Sequence, residues 1–478
     1  MNRTFSVKQL IVKALSVTLL ISVLGAGCTQ GPDQSTVDAS KKVTLTIWSA
    51  IDDQDVYAPI LTDYRKAHPY VSIEYRRFRL EEYENQLINA LAEDRGPDVF
   101  LIHNTWVGKY LPKILPMPAS TKVAEQVMIG TINPKPGYQI ATAPTVTVRK
   151  FKADYPDVVT SDFIRKLNVS TVSDKTDYQD RILGMPLSVD TLGMYVNKDL
   201  LNTAGISTIP ESWEDFQAAV KKLVKTDAQG EIIQSGAALG TGYNVVRAPD
   251  ILSVLMMQNG AVMTDESGAP TFMLTPAALN GIRETPPAYQ AISFYTDFAN
   301  PGKEVYTWNA KQPNSLDAFV QGKVAFYFGY AYDLPTIKAR APKLNLTIAK
   351  LPQITGNPEV NFANYWSWTV SKKTKMPDVA WNFLNFMRTP EESQKFLDLA
   401  KRPAALRSQL GAQLENEDIG VFAAQVLTSK SWYRGTDSKA ADDAFSVLIE
   451  QALIGAPEEV PKFATDATDK ISQTMYIR

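Results

Sequence analysis

Cysteine and histidine are nearly absent from this sequence: one cysteine and two histidines in 478 residues. A single cysteine excludes any disulfide within the chain and any zinc cluster built on cysteines. Stability must therefore come from burial. Two histidines and one thiol assemble no convincing Ser-His-Asp, Cys-His or metal-binding constellation. No metal or other cofactor is expected. An excess of charge is missing as well. The 49 basic and 51 acidic residues leave a net charge of −2, which removes the electrostatic case for a nucleic-acid partner. No GxxxxGK[ST] phosphate loop is present. After residue 28 there is no apolar run of membrane-spanning length, no short internal repeat and no low-complexity tract.

What is present begins at the N-terminus. Arg3, Lys8 and Lys13 precede an apolar run over 14–26, and Gly25-Ala26-Gly27 lead into Cys28. Residues 1–27 read as a secretory signal peptide. The segment resembles a bacterial lipobox, in which the cysteine, here Cys28, is acylated and becomes the mature N-terminus. Gly25 departs from the leucine usual three places before it. The competing reading is a membrane anchor, for which the run is short against the ~20 residues of a span. Residues 28–42 are polar and read as a lipid-anchored flexible tether. The body is then exported and held at the outer face of the cytoplasmic membrane.

About 435 residues follow, more than one hydrophobic core accommodates, so two lobes are expected. Val43, Leu45 and Ile47 alternate as in a strand, and Val56, Ile60, Leu61 and Tyr64 recur at helical spacing. Val71, Ile73 and Tyr75 alternate again, Leu80 to Leu91 carries a helical stripe, and 98–102 is a buried strand. This βαβαβ order predicts a parallel sheet covered by helices. The pattern returns at 192–196, 324–328 and 346–349. Ser212 and Thr389 read as helix N-caps, with Pro390 at a first helical position where its missing N–H costs nothing. Residues 117–180 break the pattern and read as an insertion of short strands, over 138–148, and loops.

Several segments together resemble the extracellular solute-binding proteins of bacterial ABC importers, in the group that binds sugars. They are LTIWSA (45–50), PDVFLIHNTW (97–106), ILGMPLSVDTLGMYVNKDLL (182–201), PESWEDF (210–216), QGKVAFYFG (321–329) and DVAWNFLNFMRTPEESQKFL (378–397). The resemblance implies an α/β, type II periplasmic-binding-protein fold with two doubly wound lobes joined by a hinge. The first lobe would comprise 43–189 plus 366–405, and the second 190–365 plus 406–478. Crossings would fall near 188–191, 363–367 and 402–406.

It also implies a cleft that closes on a sugar or oligosaccharide and a monomer that delivers it to an ABC permease. Aromatic faces cover sugar C–H surfaces, and planar polar groups pair hydroxyls. Ligands of open α/β sheets sit at the carboxyl ends of strands. Asp52 and Asp53 end the first strand, as ligand contacts or as a helix cap. Trp106 follows the 98–102 strand and either stacks on ligand or packs on a helix. His103 reads as a satisfied histidine rather than a contact. Asp190, at the first crossing, contacts sugar or stabilises the hinge. Tyr243 follows a glycine-rich strand end, and Arg247 pairs either an acidic sugar or a surface carboxylate. Tyr330 and Tyr332 follow the 324–328 strand. Asn364 and Tyr365 stand where relatives carry glycines; Tyr365 and Trp366 lie on opposite faces of that strand, and only one face can line the cleft. Trp432 is a last candidate. Two other readings stand beside this one: an exported carbohydrate-active enzyme, and a solute sensor or adhesion lipoprotein.

Overall fold

The computed structural model describes residues 34–475 apart from 130, 132 and 171–174. The signal peptide, Cys28 and the first part of the tether lie outside the described residues. The end of the tether is not irregular as expected. Gln34–Ala39 is a short helix with Thr36 buried. A helix this short needs packing to form, and it rests on a hairpin of the insertion.

The first lobe is built on a four-stranded sheet in the order Val71–Arg77, Val43–Ser49, Val99–His103, Trp366–Val370. Its first three strands are parallel, and Trp366–Val370 returns antiparallel against Val99–His103. Helices Gln54–Ala67, Leu80–Ala92 and Pro377–Met387 cover it. The second lobe has five strands in the order Lys225–Thr226, Ile232–Ala237, Val324–Gly329, Gly193–Asn197, Leu346–Ala349. Val324–Gly329 is buried throughout, as a central strand covered on both faces must be. Each sheet has its own core. One buries Leu45, Ile47, Phe100 and Trp381; the other buries Tyr195, Phe216, Phe326 and Trp308.

Where the chain passes between the cores, its segments lie side by side. Asp190–Thr191 pairs with Asn361–Asn364, which pairs in turn with Ser429–Lys430. Ser188 bridges Ala404. The segments at 188–191, 361–364 and 402–404 therefore form one narrow ribbon between the lobes.

The insertion is more ordered than its sequence suggests. It holds a long hairpin, Ser120–Ile129 with Lys135–Pro144, two helices, Val148–Asp154 and Asp157–Phe163, and a second hairpin, Ile164–Asn168 with Tyr178–Ile182. The strand expected over 138–148 stops at Pro144, because the Thr147 side chain accepts from the Lys150 N–H and starts a helix at Val148. Ser212 and Thr389 do cap their helices, accepting from the N–H groups of Asp215 and Glu392.

Candidate functional site

The parallel strands of the first lobe end at Ser49 and His103, and the antiparallel strand places Trp366 directly opposite His103. Three rings gather there. Trp106 and Trp366 meet edge to face with centroids 5.2 Å apart, and His103 lies 5.3 Å from Trp366. Trp106 also stacks on Tyr110. Both tryptophans are only half-buried. His103 is held by Thr105 on Nδ1 (2.8 Å) and by Asn364 on Nε2 (3.0 Å). Burial draws its pKa down to about 4, which keeps the ring neutral. This is the satisfied histidine that its isolation predicted.

In the second lobe the central strand ends at Gly329 and delivers Tyr330 and Tyr332. Their rings stack 5.4 Å apart. Tyr330 is buried and donates to Asp250 (2.6 Å), whereas Tyr332 is 43% exposed over it. Arg247 grips the same carboxylate with two bonds of 2.7 Å and reaches Asp442 at 3.3 Å. Arg247 has φ 56°, a left-handed backbone that costs a non-glycine residue of order 1 kcal/mol or more. The fork onto Asp250 holds it there. Gly240 is required for close approach, since a Cβ there would stand 2.6 Å from the Ala299 nitrogen.

Between these walls His103, Asn104, Arg247, Asp250, Asn364 and Trp432 line a cavity of about 20 Å³. That is room for roughly one water molecule. In this conformation the two lobes nearly touch at that point.

The other sequence-predicted residues separate into open and closed. Tyr243 is 70% exposed. Asp53 sits at the N-cap position without capping, and pairs Arg77 in solvent instead. Asp52 is buried and gripped by Arg402 through bonds of 3.0 and 2.8 Å. It is neither an open contact nor a cap. Asp190 is buried and accepts from the N–H groups of Thr191, Ala331 and Tyr332. It ties the first crossing to the loop that carries the tyrosine pair. Tyr365 is buried with its hydroxyl on Asp162 (2.8 Å), and the buried Trp432 donates to Ser253 (3.0 Å) and stacks on Phe445. Asp52, Tyr330, Tyr365 and Trp432 thus support the walls in this conformation and do not form their open surface. Of the 365/366 alternatives, Trp366 holds the accessible side.

Sequence reasoning missed Arg402, Asn364, Asp250, Asp162 and Arg434. Except for Asp250, which pairs Arg247 three residues away, their partners lie far along the chain, and only the expected pairing of Arg247 with a carboxylate hinted at one of them. Among the described residues no group of histidine, cysteine, aspartate and glutamate gathers as a metal cage.

Two α/β lobes, a ribbon of adjacent crossings and aromatic walls define a hinged, two-lobed binding protein. The chain belongs to the bacterial extracellular solute-binding protein family, whose profile matches residues 48–394. It is 24% identical over 276 residues to the multiple sugar-binding protein of Streptococcus mutans serotype c, covering 57% of this chain and 63% of that one. It is 26% identical over 247 residues to the maltodextrin-binding protein MdxE of Bacillus subtilis, covering 49% and 54%. The chain spans less than two thirds of the length of these curated relatives.

Among solved structures it resembles a cyclo/maltodextrin-binding protein complexed with maltotetraose (TM-score 0.67, 15% identity, 91% of this chain and 99% of the other). It also resembles the maltose-binding periplasmic protein of Listeria monocytogenes in complex with maltose (0.66, 17%, 91% and 99%). The fold is the type II periplasmic-binding fold. Among the described residues no helix is long and apolar enough to cross a membrane.

Proposed function

We propose that this chain is the extracytoplasmic receptor of an ABC importer. It takes a sugar or oligosaccharide between its lobes, closes by hinge motion and delivers the solute to a permease. Acylation of Cys28 holds it at the outer face of the cytoplasmic membrane. One observation carries the sugar reading. Aromatic rings that are not fully buried stand at the strand ends of both lobes, Trp106 and Trp366 on one and Tyr332 on the other. A sugar touching both sets gains its full contact only when the lobes are together, and that differential affinity drives closure. The names of the relatives agree with a sugar.

Turnover has less support. Asp52 is neutralised by Arg402 and Asp190 is engaged by three backbone donors. Both carboxylates are buried, so neither is open to a substrate in this conformation. Titration calorimetry of the untethered body with maltose, maltotetraose and mannobiose tests the proposal. Binding of one ligand per chain with no products supports it. Cleaved sugar would make the chain an enzyme, and no binding to any glycan would remove the sugar reading.

A further inference from the structure

The long hairpin of the insertion stands apart from both lobe sheets. Its strands pair in unbroken register from Ser120 opposite Pro144 to Ile129 opposite Lys135. One end is rooted. Thr121, Val123 and Ala124 are buried. The Ala124 N–H donates to the Tyr70 hydroxyl, and its carbonyl meets His68 Nδ1. The Lys122 N–H donates to Asp378, and helix Pro377–Met387 packs along the strand. Burial then fails toward the other end, where Met128 is 61% exposed and Ile129 47%. From 126 to 138 the only charged residue is Lys135. A projecting strand pair with open edges normally carries charge to stay out of contact with other surfaces. This one ends in large apolar side chains and one cation.

The chain outside the described residues says what lies nearby. Helix Gln34–Ala39 packs on both strands of this hairpin. Five residues lie between Cys28 and Gln34, so the two lie at most about 20 Å apart. Ten residues per strand make the hairpin about 34 Å long. An acyl group on Cys28 therefore brings the bilayer within reach of this hairpin.

We infer that the free end of the hairpin is a membrane contact. Met128 and Ile129 enter the boundary between headgroups and acyl chains, and Lys135 meets anionic lipid phosphate. Shallow apolar insertion with a cation beside it is how peripheral segments add to a lipid anchor. The hairpin then fixes how the lobes sit above the membrane. This inference rests on the lipoprotein reading of Cys28.

The test uses the full chain, processed in a bacterial host and reconstituted on vesicles of phosphatidylethanolamine and phosphatidylglycerol with brominated acyl chains. An environment-sensitive fluorophore is placed at Met128→Cys, and in a separate control at Ile454→Cys, a site 84% exposed on the second lobe. Blue-shifted emission and loss of most of it to the brominated lipid are expected at 128, with neither at 454. Mass spectrometry of the N-terminal peptide reports acylation independently. An unacylated Cys28 overturns the anchoring premise and the inference with it. An acylated Cys28 with a water-like, unquenched label at 128 overturns the hairpin contact alone. A shift at 128 that appears only when permease is present, without quenching by lipid, makes the partner a protein and also overturns it.

Discussion

The Asp162 carboxylate, in the insertion, lies 3.1 Å from the Arg434 guanidinium, beyond the last segment of the ribbon between the lobes. Asp162 is fully buried and also accepts from Ser431, Asn104 and Tyr365. Gly108 completes the contact: a Cβ there would stand 2.3 Å from the Arg434 carbonyl oxygen. Asp162, Asn104 and Gly108 thus tie the first lobe to the segment 431–435, whose Trp432 and Tyr433 belong to the core of the second.

Removing this tie should loosen the closed arrangement. Asp162→Ala leaves Arg434, Tyr365, Asn104 and Ser431 facing a gap. Breaking a buried charge pair from one side costs about 3–5 kcal/mol. Denaturant unfolding should show a loss of that order, and small-angle scattering of the unliganded protein a larger radius of gyration. An unchanged radius would mean that the tie does not hold the lobes together.

Tyr332 supports a cleaner separation of binding from stability. It is 43% exposed, and its ring stacks on Tyr330. Tyr332→Ala should weaken sugar binding about tenfold, roughly 1.4 kcal/mol. The melting temperature should barely move, since exposed substitutions usually fall within about 0.5 kcal/mol. Trp106→Ala should weaken binding similarly while costing more stability, because that ring also stacks on Tyr110. A large loss of stability with unchanged affinity for either variant would return the residue to a packing role.

The local features of this fold were legible in the sequence because their causes are local. Alternating Val43, Leu45 and Ile47 marks a strand. Thr389 followed by Pro390 marks a helix start. The side chains there meet partners a few residues away, as when Thr389 accepts from Glu392. The cleft was legible only as a set of strand ends. Which side chain lies open depends on partners without local signature. Asp52 finds Arg402 350 positions away, and Tyr365 finds Asp162 203 positions away. Alternation at 365–368 did establish that Tyr365 and Trp366 point to opposite faces. The identity of the closed side came from Asp162, inside an insertion whose sequence carries no motif.

The Asp52–Arg402 pair makes a second electrostatic prediction. Asp52 is buried, Arg402 nearly so, and the pair joins the end of the first strand to the 402–406 segment. Arg402→Met should destabilise by about 3 kcal/mol because Asp52 is then buried without its partner. Asp52→Asn with Arg402→Met should recover much of that loss. A double variant no better than the sum of the single ones would show that the two charges are not coupled.

Asp190 should give the protein a distinctive pH dependence. Burial pushes its carboxyl up to about 7, although the Thr191, Ala331 and Tyr332 N–H groups pull it down. An unfolded aspartate titrates near 3.9. Between those values the folded chain keeps a proton that the unfolded chain has released, so folding grows weaker as pH rises. The contribution is complete below about pH 4 and lost by about pH 7. By linkage its upper bound is about 4 kcal/mol. Asp190→Asn keeps an oxygen to accept from the same N–H groups and removes the titration. Unfolding free energies of both proteins, measured from about pH 4 to 8, should therefore diverge, with the parent losing stability relative to the variant as pH rises. Because Asp190 joins the first crossing to the Tyr330–Tyr332 loop, its ionisation also acts where closure does. Sugar affinity of the parent should change across the same interval while that of Asp190→Asn stays level. Parallel curves for both quantities would show that Asp190 carries its charge at neutral pH as an ordinary carboxylate does.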